Sequence, residues 1–363
     1  MVEIPRPATI SVPGRWLQAG NARVHLNSRE GEPGEQGFPG TAPNHVCFAV
    51  EDIIAAEREL ARLGVATKRA GSLSKPQLWI RLPGGTESEG LRCGAWLFEP
   101  DDPAASGCVV LAHGFGCVKR LRLNAFAERF RASGLRALAF DYRHFGDSEG
   151  EPRQLLKIDR QLADWRAAVA FARSLPGVDP DRIALWGTSL AGGHVVKVAA
   201  ADRGVAAVVA QIPFSGGFGV ARSTGYVHSL RLTAAGLRDE YRARRGKEPF
   251  YIPLYGPPGA LAGIAAEGLT ERVAALTEGE LDNRYTPRIG LRLRTYKPLR
   301  QLPRLRCPVL ICVAEPFQPP IAAATAPNVT LRSYRVGHFD LYSGPQFERV
   351  VAEQAEFLSR HLA

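Results

Sequence analysis

The chain has 363 residues, 45% of them hydrophobic and 23% charged, which excludes a disordered or fibrous protein and leaves room for one large α/β domain plus a smaller unit. Its net charge of +10 is local, because Arg222 to Arg306 carries 16 Lys and Arg against 8 Asp and Glu. Those basic residues, in "RARRGK" and "RIGLRLRTYK", are not interleaved with stacking aromatics, so they read as a solvated face and exclude nucleic acid as the expected partner; an anionic acyl substrate or an acyl-carrier partner is the alternative.

The opening "MVEIPRPATISVPG" has no basic region followed by an apolar core, and no apolar run reaches the roughly 20 residues of a membrane helix, so a cytoplasmic protein without a membrane partner is expected. Residues 1 to about 85 carry two strand-like pieces, "RWLQAGNARVHL" and "HVCFAVED", then an amphipathic helix over "EDIIAAERELARLGV" and a further strand, "QLWIRL". Between the first two lies "NSREGEPGEQGFPGTAPN", a loop or linker rich in Gly, Pro and Glu.

From about residue 88 strands alternate with helices. "LRCGAWLF" and "GCVVLAH" lead to a helix over "RLNAFAERFRASG"; the strand "RALAFDY" leads to a helix over "IDRQLADWRAAVAFARSL". "RIALWG" runs into a helix starting near Ser189, and "VAAVVAQ", "CPVLICVA", "VTLRSYRV" and a final helix over "PQFERVVAEQAEFLSRHL" complete the series. This alternation predicts a mostly parallel, doubly wound sheet covered on both faces. Residues about 213 to 300 interrupt it with prolines, glycines and arginines, as an insertion over the sheet's carboxyl edge would. The six cysteines, Cys47, Cys93, Cys108, Cys117, Cys307 and Cys312, show no C-x-x-C spacing, so neither a zinc site nor a disulfide framework is expected.

Chemistry concentrates in three places. "LWGTSLAGGH" turns a strand abruptly into a helix at Ser189, with small flanking residues that permit a strained turn and lift the hydroxyl above the sheet; taken alone it reads equally as a structural small-residue turn. "LAHGFG" ends an earlier strand and can supply a backbone N–H near Phe115, while Leu190 supplies another, as donors to a developing oxyanion. His113 in that stretch reads as a structural brace. "YRVGHFDLY" places His338 after the last strand, where a general base follows the nucleophile in chain order.

Residues about 88 to 363 resemble the α/β-hydrolase superfamily, particularly its dienelactone-hydrolase-like and S15 peptidase-like esterases. The matching stretches are "LAHGFG", "FDYRHFGDSEGEPRQ", "LWGTSLAGGH", "VVAQIPF", "CPVLICVAE" and "VGHFDLY". The resemblance implies a serine hydrolase acting on a small-molecule ester, thioester or amide, with a lid insertion and no metal or organic cofactor. Alanine at 191 stands where the pattern usually has glycine. In such proteins the triad acid follows the strand read here as "CPVLICVA"; counted along that pattern Phe317 occupies the acid's place, and Glu315 is the nearby carboxylate that could orient His338. Asp340 reads as structural.

Residues about 14 to 85 resemble part of a vicinal-oxygen-chelate domain of the glyoxalase and bleomycin-resistance type, an α+β region; the resemblance puts His25, His45 and, just past it at the start of the hydrolase part, Glu89 where metal ligands would stand, but its repeat is incomplete and a metal-free docking or oligomerisation module is expected. Three functions compete: a serine hydrolase built on Ser189, His338, Glu315, Leu190 and Phe115; a binding protein with a dismantled triad; and a metal-dependent lyase or dioxygenase-like activity in the amino-terminal region.

Overall fold

The computed structural model describes residues 90–362 apart from 103, 217–224, 278–281 and 316–325, together with the backbone of five earlier strands. The chain divides into two units, Met1–Pro76 and Gln77–Ala363. In the first, β1 (Val2–Ile4), β2 (Arg15–Ala19), β3 (Ala22–Leu26) and β4 (Cys47–Ala49) form an antiparallel sheet in sequential order. His25 stands on β3 opposite Trp16 and Cys47. His45, Glu89 and the helix expected over "EDIIAAERELARLGV" lie outside the described residues.

The second unit is built on β5 (Gln77–Arg81), β6 (Arg92–Phe98), β7 (Cys108–Ala112), β8 (Arg136–Phe140), β9 (Ile183–Thr188), β10 (Val205–Gln211), β13 (Val309–Ala314) and β14 (Val329–Tyr334). Their spatial order is β14-β13-β10-β9-β7-β8-β6-β5, antiparallel where β6 meets β5 and β8 and parallel elsewhere. "QLWIRL", read from sequence with the amino-terminal region, instead supplies β5 at the edge of this sheet. A short apolar strand carries no mark of which sheet it will join, so its partner fixes the boundary.

Apolar runs such as "CVVLA" and "VLICVA" are buried along their whole length because both faces are covered. Alternate residues go to opposite sides: Cys108, Val110 and Ala112 join one core with α2 (Ile158–Ser174) and α3 (Leu190–Ala201), and Val109 and Leu111 join the other with α1 (Leu123–Ala132) and α7 (Gly344–Leu362). The period of two in the strands is what makes both layers possible.

Between β10 and β13 the chain leaves the alternation. It forms α4 (Tyr226–Arg244), the short parallel pair β11 (Tyr255–Gly256) and β12 (Ile264–Ala265), α5 (Leu269–Leu276), α6 (Ile289–Leu293) and a 3₁₀ turn over Pro298–Arg304. Two devices pin it. The buried Asp239 carboxylate accepts hydrogen bonds from the Arg288 guanidinium at 2.6 and 2.9 Å and from the Phe250 N–H at 2.9 Å. Leu254 lies against Gly116, and Tyr285 packs edge-on to Phe115 with ring centroids 4.9 Å apart. The insertion therefore covers the loop after β7, at the carboxyl edge of the sheet.

Candidate active site

The turn from β9 to α3 is strained at one residue. Ser189 has φ 57° and ψ −117°, a backbone region that costs a non-glycine residue about 1–3 kcal/mol. Its own peptide groups hold it there: the Ser189 N–H donates to the Gln211 carbonyl at 2.9 Å, and its carbonyl accepts the Phe214 N–H at 2.8 Å. At Gly187 any Cβ would collide with the Ala191 carbonyl, so the strand can fold back on its helix only without a side chain there. The methyl of Ala191 is accommodated within the buried start of α3.

β7 is the direct neighbour of β9, which brings "AHGFG" beside the elbow although two stretches of chain separate them. A Cβ at Gly114 would lie 2.7 Å from Ser189 Cβ, 2.9 Å from the Thr188 carbonyl and 3.2 Å from the Leu190 nitrogen, so this loop's backbone rests directly on the turn. Among the described residues no hydrogen bond takes up the N–H of Leu190 or of Phe115. Leu190 is the first residue of α3, where an N–H has no intrahelical acceptor and the helix dipole favours negative charge. His113 donates from Nε2 to the Leu121 carbonyl. Burial brings its pKa down to about 4, so it is a neutral brace for the donor loop.

After β14 the chain enters a 3₁₀ turn over His338–Tyr342. Desolvation pulls the His338 pKa down to about 4, so its imidazole is neutral at pH 7 and able to accept a proton. Phe339 lies 5.0 Å from the His338 ring, and Tyr255 of the insertion meets Phe339 at 5.9 Å. The turn is held at both ends. The Asp340 carboxylate accepts the Gly337 N–H at 2.8 Å and pairs with Arg272 at 2.9 Å, which makes it a cap. At the other end the Tyr342 hydroxyl shares a 2.6 Å hydrogen bond with Thr188 Oγ1, and its ring stacks on His113 at 6.0 Å. Tyr342 thus joins the histidine turn, the donor loop and the residue before the serine.

Among the described residues no hydrogen bond joins His338 to Ser189 Oγ or to a carboxylate; such bonds commonly tighten only around substrate. Glu315 follows β13, its N–H donating to the Tyr334 carbonyl at 2.8 Å and its carboxylate standing 3.8 Å from the exposed Arg335 guanidinium. Phe317 lies outside the described residues. Elsewhere, His194 bonds the Tyr296 hydroxyl at 2.7 Å and Gln161 at 3.0 Å inside the core, and His144 meets Arg160 at 3.0 Å. Among the described residues no cluster of His, Cys, Asp and Glu could hold a metal ion.

Sequence reading passes over Tyr342 and Gly114. Tyr342 carries a faint signal, a tyrosine four residues after the candidate base; Gly114 is visible only as one of several small residues.

Class follows from where the serine stands. A central strand that hands over to a helix through a serine of positive φ, with backbone N–H groups at the helix start and on the neighbouring strand's loop that have no hydrogen-bond partner among the described residues, is the architecture of α/β-hydrolases. The chain belongs to the alpha/beta hydrolase family, whose model matches residues 109–353. It is 42% identical over 282 residues to the quorum-quenching protein AidA of Acinetobacter baumannii (strain MDR-ZJ06), covering 76% of this chain and 93% of AidA. It is 39% identical over 123 residues to the thiohydrolase aneE of Aspergillus aculeatus (strain ATCC 16872 / CBS 172.66 / WB 5094), covering 34% of this chain and 37% of that protein. Among solved structures, DcsB in complex with its substrate analogue superposes with a TM-score of 0.66 at 26% identity, over 79% of this chain and 100% of DcsB.

Proposed function

We propose that this chain is a serine hydrolase that cleaves a small-molecule carboxylic ester, thioester or small amide through an acyl-enzyme on Ser189. The observation that carries this reading is the strained Ser189 backbone beside two N–H groups, of Leu190 and Phe115, that no hydrogen bond takes up among the described residues. Backbone strain at a hydroxyl side chain, with N–H donors next to it, is what an acyl-transfer site needs. In the proposed sequence His338 Nε2 takes the Ser189 proton as Oγ attacks the carbonyl carbon. The oxyanion is held by the Leu190 and Phe115 N–H groups until the leaving group departs with the proton. Water then repeats the addition, and the acid component leaves. Glu315, at the end of β13, is assigned as the group that orients the imidazole. The thiohydrolase relative keeps thioesters within the substrate class. The amino-terminal unit takes no part in this chemistry and is assigned as a metal-free docking or oligomerisation module in the cytoplasm.

The test is labelling by a fluorophosphonate together with hydrolysis of p-nitrophenyl acetate, p-nitrophenyl butyrate and a butyryl thioester. Labelling of the wild type and none of Ser189→Ala, with turnover lost in the variant, supports the reading. A wild type that binds acyl compounds but neither labels nor turns over is instead a binding protein on a hydrolase scaffold.

A further inference from the structure

A chain of buried polar side chains crosses the second apolar core, where packing alone would favour hydrocarbon. Trp186, Thr188, Gln211 and Gln354 have no exposed surface, and Tyr342 is 2% exposed. The Trp186 indole N–H donates to Gln354 Oε1 at 2.8 Å, and Gln354 Nε2 donates to Gln211 Oε1 at 2.8 Å. Gln211 Nε2 then reaches Thr188 Oγ1 at 3.4 Å, and Thr188 Oγ1 meets the Tyr342 hydroxyl at 2.6 Å. An indole can only donate, so Gln354 must turn its oxygen towards Trp186 and its amide N–H₂ towards Gln211. That forces Gln211 to do the same towards Thr188. The orientation of every amide is therefore fixed from one end of the chain, and it terminates at the two residues that flank the proposed chemistry: Thr188, directly before Ser189, and Tyr342, one turn after His338.

Buried amides are costly unless fully bonded, so a network retained inside an apolar layer specifies an arrangement rather than adding stability. What it specifies here is the separation between two elements far apart in sequence, the elbow and the histidine turn. We propose that Tyr342, held by the Trp186–Gln354–Gln211–Thr188 chain, is a positioning residue that sets the His338 imidazole against Ser189. This rests on the serine-hydrolase reading for its kinetic consequence but not for its structural one. The positioning acts through backbone and ring placement: the Tyr342 hydroxyl fixes the end of the 3₁₀ turn, and its ring, stacked on His113, fixes the donor loop in the same frame. Tyr342 itself stays a neutral phenol, because burial pushes its ionisation up.

Tyr342→Phe keeps the ring and removes the hydroxyl; Thr188→Val removes the partner, and Thr188→Ser restores it. The expected result for Tyr342→Phe and Thr188→Val is a fall in kcat of about tenfold or more, with KM within about twofold and a parallel fall in fluorophosphonate labelling. Thr188→Ser recovers the wild-type rate. In the resting enzyme, the ring-nitrogen NMR signals of His338 shift in Tyr342→Phe while the melting temperature falls by only a few degrees. A Tyr342→Phe enzyme with reduced melting temperature but unchanged kcat and unmoved His338 signals overturns the proposal. If the wild type neither labels nor turns over, the hydrolase reading fails, and the His338 signals still decide this one: movement upholds the positioning role, and constancy sinks it.

Discussion

At Gly114 single atoms set how the loop rests on the elbow, and at Glu315 a single charge tests the proposed triad. A methyl at Gly114 has no space, because its nearest neighbours are Ser189 Cβ and the Thr188 carbonyl at 2.7 and 2.9 Å, and a backbone oxygen cannot step aside without moving the elbow. Gly114→Ala is expected to reduce kcat on p-nitrophenyl butyrate by about 100-fold, on the scale of losing one oxyanion donor; wild-type turnover in this variant would separate the donor loop from the chemistry. Glu315 is tested by a change that removes only its charge. With glutamate as the orienting acid, Glu315→Gln lowers turnover on the order of 10⁴-fold, as substitution of the triad acid does in serine proteases. Turnover within twofold of wild type would remove Glu315 from the triad.

Among the elements, the 3₁₀ turn at His338, the donor loop and α3 all carry histidines that burial keeps neutral. His113 and His338 are brought down to about 4 and His194 to about 3. In the unfolded chain these groups titrate near 6.5, so below that pH the unfolded state binds more protons and stability falls as pH drops towards 4. Melting temperature measured from pH 7.5 to pH 4 is expected to be flat above about 6.5 and to decline below it. A plateau reaching to pH 4 would mean these rings are hydrated rather than desolvated. The insertion has its own control point. Asp239→Ala leaves the Arg288 guanidinium without its buried partner and is expected to destabilise by about 3–5 kcal/mol, read as a lowered denaturation midpoint. The elements themselves were legible in the sequence wherever burial is two-sided, because uninterrupted apolar runs such as "VLICVA" have few alternatives to a covered strand. The elbow was legible for a local reason, since a strand followed at once by small residues and a helix leaves one place for the serine. The Tyr342–Thr188 contact spans 154 residues and no local pattern can show it. Beside the position of Tyr342 four residues after His338, its sequence trace is Gln211, a polar residue closing the apolar run "VAAVVAQ". The acid stayed illegible because in the sequence Phe317 stands where the family pattern places it.

For the whole molecule the two units make different demands on an experiment. The serine chemistry proposed for the Gln77–Ala363 unit would use backbone donors and an imidazole, so hydrolysis is expected to be unchanged by prolonged dialysis against a chelator. Loss of activity that returns on adding a divalent ion would move the chemistry to the amino-terminal unit and its His25. The whole fold also answers for the conformation of one residue. The left-handed backbone at Ser189 suits glycine better than any side chain, so Ser189→Gly is expected to melt above Ser189→Ala, both being inactive. Selection for turnover and selection for stability pull on that position in opposite directions. In a lineage no longer required to turn over substrate, this is where sequence would drift first, and the loss of the enzyme would leave a sturdier protein.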